Sequence, residues 1–344
     1  MNNPFELTFG LKPNNYISRL KQSEEITQNF NSPTGNRVYL ITGVRGTGKT
    51  VMLSHISKYY ENSKDWIVVE LIPNYDMLEQ LASYLYDSSI LNKILNKKSF
   101  GFSFSGISFS ISGDKPVTNV ISLIEILLQK IKAHKKNVLI TIDEVSNNDY
   151  VKTFTQAFQV LVRKEFPIHL LMTGLYQNIY ELQNNKDLTF LYRAPKINLE
   201  PLNLAAITFS YKELLNISQE DAAKLAKKTK GYAYAYQVLG YLVWERKNAN
   251  IDAELMMKFD QYLQEYVYDK MYSELSSNDK IVLKSFENDG VNNVEDLLKK
   301  SKMKKNIFSV YRDRLIKRGI IEAPEYGKLY LKLPRFYEFI INQI

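Results

Sequence analysis

Gly43-Val44-Arg45-Gly46-Thr47-Gly48-Lys49-Thr50 places glycines, a lysine and a threonine in the spacing G-x-x-x-x-G-K-T. Glycines at those positions let the backbone curl until successive N–H groups converge on one point. A helix starting near Lys49 adds its positive end at the same point. Together they suit the phosphates of a nucleotide, with Lys49 reaching the β- and γ-phosphates and the Thr50 hydroxyl turned to Mg²⁺. Gly43, Val44, Arg45, Gly46, Thr47, Gly48, Lys49, Thr50 and Val51 are therefore the candidate contacts, and ATP with Mg²⁺ the expected cofactor pair.

A second cluster fits the same chemistry. The apolar run 138–142 ends in Asp143-Glu144. An aspartate at the carboxyl end of a buried strand can hold Mg²⁺ through water, and the next acid can orient an attacking water or take its proton. Asp143 is assigned to the metal with Thr50, and Glu144 to catalysis with Lys49. Thr173 closes the next apolar run, 168–172, where a polar side chain could sense the γ-phosphate. Arg193, in Phe190-Leu191-Tyr192-Arg193-Ala194-Pro195, is a candidate arginine delivered in trans to a neighbour's nucleotide, which requires an oligomer.

These residues need a scaffold, and the hydrophobic pattern supplies one. Residues 37–42 read as a strand and 49–60 as a helix; 66–72, 138–142, 168–173 and 196–199 read as further strands. Helical spacing occupies 75–96, 117–134, 154–165 and 176–183. Strands alternating with helices predict a three-layer αβα core around a parallel sheet. Between the helices, Phe100, Phe102 and Phe104 alternate with small residues, as do Ile107, Phe109 and Ile111 beyond Gly106, predicting a hairpin over 99–113. Past Pro201 the pattern becomes all-helical to about 272, with a break at Lys230-Gly231.

The last 70 residues read differently. Two short helices over 276–298, a third over 304–318 with Ile307, Phe308, Val310, Tyr311 and Leu315 as its apolar stripe, and strands around 320–322 and 329–333 predict a winged helix. The chain carries +8 overall, and residues 299–318 hold nine basic side chains against Asp313 alone, an excess equal to that of the whole chain. Such a cluster attracts polyanions. Lys304, Lys305, Arg312 and Arg314 on the third helix and Lys328 on the wing are candidate contacts to double-stranded DNA; a winged helix used for protein contacts is the alternative. The domains expected are 1–36 flanking the nucleotide, a P-loop core over 37–201, a helical lid over 202–274 and the winged helix over 275–344.

The absence of cysteine rules out disulfides and thiolate chemistry, and the three histidines lack metal-ligand spacing. No apolar run approaches the ~18–20 residues that span a bilayer, and MNNPFELTFG lacks the features of a signal peptide, so no membrane partner and a cytoplasmic location are expected.

At this point the chain resembles the AAA+ ATPases of the origin-recognition (Orc)/cell-division-cycle initiator and archaeal-type group, and looks closest to the bacterial Orc-like members. The resemblance rests on Asn3-Pro4-Phe5 with Phe9-Gly10 and Pro13, Gly43 to Thr50, Ile142-Asp143-Glu144-Val145, Thr173-Gly174-Leu175, the stretch 188–194, Gly231-Tyr232, Gln237 to Gly240, and Trp244. It implies an ATPase core, a lid and a winged helix, with Thr173 as sensor 1, Arg193 near the arginine-finger region, and the Phe9–Pro13 segment and the lid around Gly231 flanking the adenine. The Gly-Arg that often precedes the core reads Ser18-Arg19. The resemblance also places a DNA-contacting insertion near the 99–113 hairpin. Two functions fit these parts: a slow ATPase switch on DNA, or a signalling ATPase of the STAND type that oligomerises on a protein partner.

Overall fold

A computed structural model describes residues 2–7, 15–88 and 119–343. The expected hairpin over 99–113 and the Phe9–Pro13 segment lie outside these residues. Contacts divide the chain into two units, and their borders cut across the domains expected from sequence. One holds 20–42 with 52–198; the other holds 1–19, 43–51 and 199–344.

The first unit is an α/β layer built on a five-stranded, all-parallel sheet. Its strands are β1 (Val38–Thr42), β2 (Trp66–Leu71), β3 (Asn137–Ile142), β4 (Ile168–Gly174) and β5 (Lys196–Asn198), in the order β2-β3-β4-β1-β5. Every residue of β1 and β4 is buried, as near-continuous Val, Ile and Leu runs require of strands covered on both faces. Helices α1 (Leu20–Asn31), α3 (Met77–Asp87), α4 (Val120–Ala133) and α5 (Asp149–Arg163) belong to this unit, as do α6 (Tyr176–Gln183) and α7 (Thr189–Tyr192). Helix α2 (Lys49–Glu61) begins in the other unit and continues into this one.

Helix α5 starts five residues earlier than its apolar stripe suggested. The reason is a cap: Asn148 Oδ1 accepts the Val151 N–H at 2.9 Å, which satisfies an otherwise unpaired donor of the first turn. Where the sheet starts, His169 on β4 is 1% exposed among the rings of Phe30, Tyr60 and Trp66. Arg37 shares a hydrogen bond with its Nε2.

The second unit packs α8 (Leu204–Leu215), α9 (Gln219–Thr229), α10 (Ala233–Arg246) and α11 (Ala253–Leu263) about Tyr211, Leu239 and Phe259. The expected break at 230–231 is present. Lys230 (φ +48°) and Gly231 (φ +74°) are consecutive left-handed residues. A Cβ on Gly231 would lie 2.6 Å from the Leu202 carbonyl oxygen, so glycine is required. Phe5 of the N-terminal segment lies against Gly240 of α10, and the Glu6 N–H donates to Gln237 Oε1 at 3.1 Å. Two pieces of the sequence resemblance, 231 residues apart at Glu6 and Gln237, thus meet.

The end of the chain contains α12 (Asp269–Ser273), α13 (Ser277–Lys284), α14 (Val294–Ser301) and α15 (Lys305–Lys317), with β6 (Asn292–Asn293), β7 (Ile321–Glu322) and β8 (Lys328–Leu331) in an antiparallel sheet ordered β6-β8-β7. A final helix, α16 (Phe336–Ile341), follows. The stripe expected on α15 is only partly buried. Phe308 and Leu315 point inward, but Ile307 is 38% and Val310 63% exposed. At 3.6 residues per turn, 308 and 315 share a face while 310 falls on the opposite one.

Candidate nucleotide site

The glycine-rich loop residues belong to the second unit and the paired acids to the first, and each cluster is built from its own residues. In the loop, Gly46 and Gly48 have φ of +73° and +89°, a conformation that costs any L side chain energy. A Cβ on Gly46 would also approach the Tyr232 hydroxyl to 2.2 Å. The Thr47 hydroxyl donates to the Val44 carbonyl at 2.9 Å and stiffens the turn. Lys49 opens α2, is buried, and donates from Nζ to the carbonyls of Gly43 (3.1 Å) and Val44 (2.9 Å). Its ammonium is therefore held over the loop by groups that phosphate oxygens can replace.

Four further residues brace this loop, and none was singled out as a site residue from sequence. Arg19 donates to the carbonyls of Thr47 (3.0 Å) and Glu200. Burial lowers its pKa to about 10, against the opposing pull of Glu200. Tyr232 donates its hydroxyl proton to the Arg45 carbonyl. The Tyr234 N–H donates to the Gly46 carbonyl at 3.0 Å. Arg45 in turn pairs with Glu274 at 2.9 Å. Ser18-Arg19 and Gly231-Tyr232 were visible among these through the family resemblance; Tyr232, Tyr234 and Glu274 are joined to the loop by contacts across 180 to 230 residues.

In the first unit, register places the ends of β3 and β4 side by side, with Ile142 opposite Met172. Asp143 follows directly, and Thr173 is fully buried one residue further along β4. The Thr173 hydroxyl donates to Asp143 Oδ1. The Glu144 N–H is shared between Asp143 Oδ1 (3.0 Å) and Thr173 Oγ1 (3.2 Å). Glu144 itself is exposed and left-handed, with φ +51°. A glutamate in that conformation costs about 1 kcal/mol. Asp143, Glu144 and Thr173, chosen separately from sequence, form one hydrogen-bonded cluster at the carboxyl end of a parallel sheet, where α/β folds hold ligands. No hydrogen bond or ion pair among the described residues joins Arg193 to this cluster. Arg193 is the exposed C-cap of α7, on a polar cleft.

The Thr50 hydroxyl and the Asp143 carboxylate, the two donors chosen from sequence, are each of a kind that Mg²⁺ accepts, since it takes one or two protein oxygens and completes its shell with phosphate and water.

Among the candidate DNA contacts, Lys304 and Lys305 are exposed at the start of α15. Arg312 pairs with Asp313 at 2.7 Å, and Lys328 donates to Asn293 Oδ1 at 2.6 Å. Arg314 is differently placed. Its Nε donates to Asp279 Oδ1 at 2.8 Å, its Nη2 reaches Asp279 Oδ2 and Ser276, and its guanidinium lies over Tyr311. Asp279 is wholly buried, so Arg314 neutralises a core carboxylate.

Residues 17–174 match the family model described as Nephrocystin 3, N-terminal, and residues 265–340 match a domain of unknown function, DUF8462. No curated protein matches the chain. Among solved structures, the ORC2 protein of Aeropyrum pernix, in ADPNP–ADP complexes, is similar with a TM-score of 0.60 at 12% identity, covering 98% of this chain and 96% of that one. A Walker-type ATPase of Pyrococcus abyssi is similar with a TM-score of 0.64 at 11% identity, covering 95% and 96%. The chain has the fold of these archaeal Orc-like and Walker-type P-loop ATPases over nearly its whole length. No helix among the described residues is long and apolar enough to cross a membrane.

Proposed function

We propose that this chain is an ATP-binding, slowly hydrolysing switch that couples its nucleotide state to duplex DNA through its basic C-terminal domain, read as a winged helix. The observation that carries this reading is the turn 230–234. On one side Tyr232 and Tyr234 bond the carbonyls of Arg45 and Gly46 in the P-loop. On the other, Lys230 Nζ donates to the Leu331 carbonyl at the end of β8 (2.9 Å) and pairs with Asp289 (3.3 Å). In this reading a change in the loop on nucleotide binding passes through these bonds to the sheet beside α15. A parallel link supports it: Arg45 pairs with Glu274, whose backbone carbonyl accepts from Arg318 just beyond α15.

In this reading the loop N–H groups and Lys49 bind the phosphates, and Lys49 exchanges the Gly43 and Val44 carbonyls for phosphate oxygens. Thr50 and Asp143 would each offer an oxygen to Mg²⁺, which would supply neutralisation of the phosphate charge. Thr173 fixes Asp143 and the Glu144 N–H. Glu144 orients water for attack and takes its proton. Lys304, Lys305 and Lys328 contact DNA phosphates, and the similar A. pernix protein holding ADPNP and ADP supports the nucleotide class.

The test is anisotropy of a labelled duplex with no nucleotide, ADP or ATP–Mg²⁺. Duplex affinity should differ between the states, fall steeply with salt, and lose its nucleotide dependence in Lys49→Ala. A duplex unbound at low salt, or bound equally in every state, sinks the proposal. The exposed Ile307 and Val310 beside Lys304 on α15 favour a second reading, a signalling ATPase that oligomerises on a protein partner. Light scattering with and without ATP separates them, since a chain that stays monomeric in ATP and binds DNA eliminates the second.

A further inference from the structure

A cleft of about 600 Å³ opens in the α/β unit between α5, α6 and α7. Phe190 and Tyr192 supply its rings, Lys186 and Arg193 its cations, and Gln159 and Asn185 amide edges. Among the described residues its lining contains no carboxylate. Two cations without a counter-charge attract an anion, but an inorganic anion would have no use for the rings. Tyr192 is 70% exposed, a large aromatic surface left in water, while Phe190 is braced from below by a stacked contact with Phe158 at 6.4 Å. A supported ring, an open ring, amides able to donate and accept, and cations beyond them form the recognition set of a nucleobase and its phosphate.

The set also extends past the cleft. Lys196 Nζ lies 3.3 Å from Oε1 of Gln183, which lines the cleft, and 5.2 Å from the ring centre of Tyr176. Tyr176 is itself stacked on the exposed Tyr180 at 5.9 Å. Rings and cations thus continue along the surface of α6, as successive stacked bases need; a free nucleotide would use the cleft alone.

We propose that this cleft and the α6 surface beside it bind single-stranded nucleic acid, with one base stacked on Tyr192 and its phosphate held by Lys186 and Arg193. The site is separate from the basic domain assigned above to duplex DNA, and its test is independent of that assignment. Labelled oligo(dT) is titrated into the full chain at low salt, beside a duplex in a separate titration. Tyr192→Ala should weaken oligo(dT) binding about tenfold, as removal of one stacking ring does, while Tyr192→Phe retains it. Lys186→Ala should weaken binding and flatten its salt dependence. Both side chains are exposed, so the variants should melt like the parent. As a second readout, Tyr192→Trp should show emission quenched by oligo(dT). Oligo(dT) binding that is absent, unchanged in Tyr192→Ala, or displaced equally well by polyglutamate overturns the proposal. Quenching by AMP without quenching by oligo(dT) also overturns it, assigning the cleft to free nucleotides.

Discussion

Glu144 and His169 show how single positions in this chain are set by backbone and burial rather than by residue type. Glu144 is held left-handed by its own N–H, which bonds both Asp143 and Thr173. In the proposed mechanism its carboxylate acts on water, so Glu144→Gln should keep ATP binding and lower hydrolysis at least about a hundredfold, measured as phosphate release against nucleotide titration. Unchanged turnover would remove Glu144 from the chemistry. His169 has no such role. Burial, reinforced by the charge of Arg37, lowers its pKa from 6.5 to about 3, with a backbone contact to Val138 opposing. The fold therefore favours the neutral ring. Its contribution is complete above pH 6.5, where the unfolded chain is also neutral, and is lost as pH falls from there towards 3. Between pH 6.5 and 5 the loss should be roughly 1–2 kcal/mol. Urea melts at the two pH values should show a smaller drop in His169→Phe; an equal drop would place the acid sensitivity elsewhere.

At the scale of elements, α15 marks where reading the sequence succeeded and where it stopped. The strand runs and the P-loop spacing were legible because each is a local pattern whose meaning depends on its immediate neighbours. Asp143-Glu144 and Thr173 were legible as strand ends, and their mutual bonding follows from parallel register. Arg314 was not legible. In sequence it is one of nine basic residues; only folding brings Asp279, 35 positions away, beneath it. Arg19 and Tyr232 were visible in the family resemblance, but the carbonyls they reach were not, since a long side chain reaching a carbonyl elsewhere in the chain leaves no periodicity. The two-residue β6 and the six-residue α16 are too short for a period to show. The Arg314 pairing carries its own consequence. Asp279 is buried and paired with Arg314, so removing that partner leaves a carboxyl group unpaired in the core, at a cost of about 3–5 kcal/mol. Arg314→Ala should lower the melting temperature markedly, whereas Lys305→Ala, on the exposed first turn, should leave it nearly unchanged. A melt of Arg314→Ala like that of the parent would return the residue to the list of surface contacts.

For the whole molecule, the question is whether nucleotide and DNA are linked, and the turn 230–234 is where the link can be cut. If ATP and duplex each shift the same two-state element, their coupling is reciprocal: ATP changes duplex affinity by the factor by which duplex changes ATP affinity. Typical couplings of 1–3 kcal/mol correspond to about 5–150-fold, a range anisotropy resolves. Lys230→Met keeps the aliphatic stem but removes the ammonium that bonds Leu331 and Asp289, and it leaves Tyr232 and Tyr234 on the P-loop. The variant should bind ATP like the parent and bind duplex at low salt, yet show the same duplex affinity with and without ATP. Loss of ATP binding would mean that Lys230 supports the loop itself. Retained coupling would shift the linkage to the second connection, from Arg45 through Glu274 to Arg318, where Glu274→Gln should then abolish it. Coupling retained in both variants and in their combination would show that neither contact carries the signal.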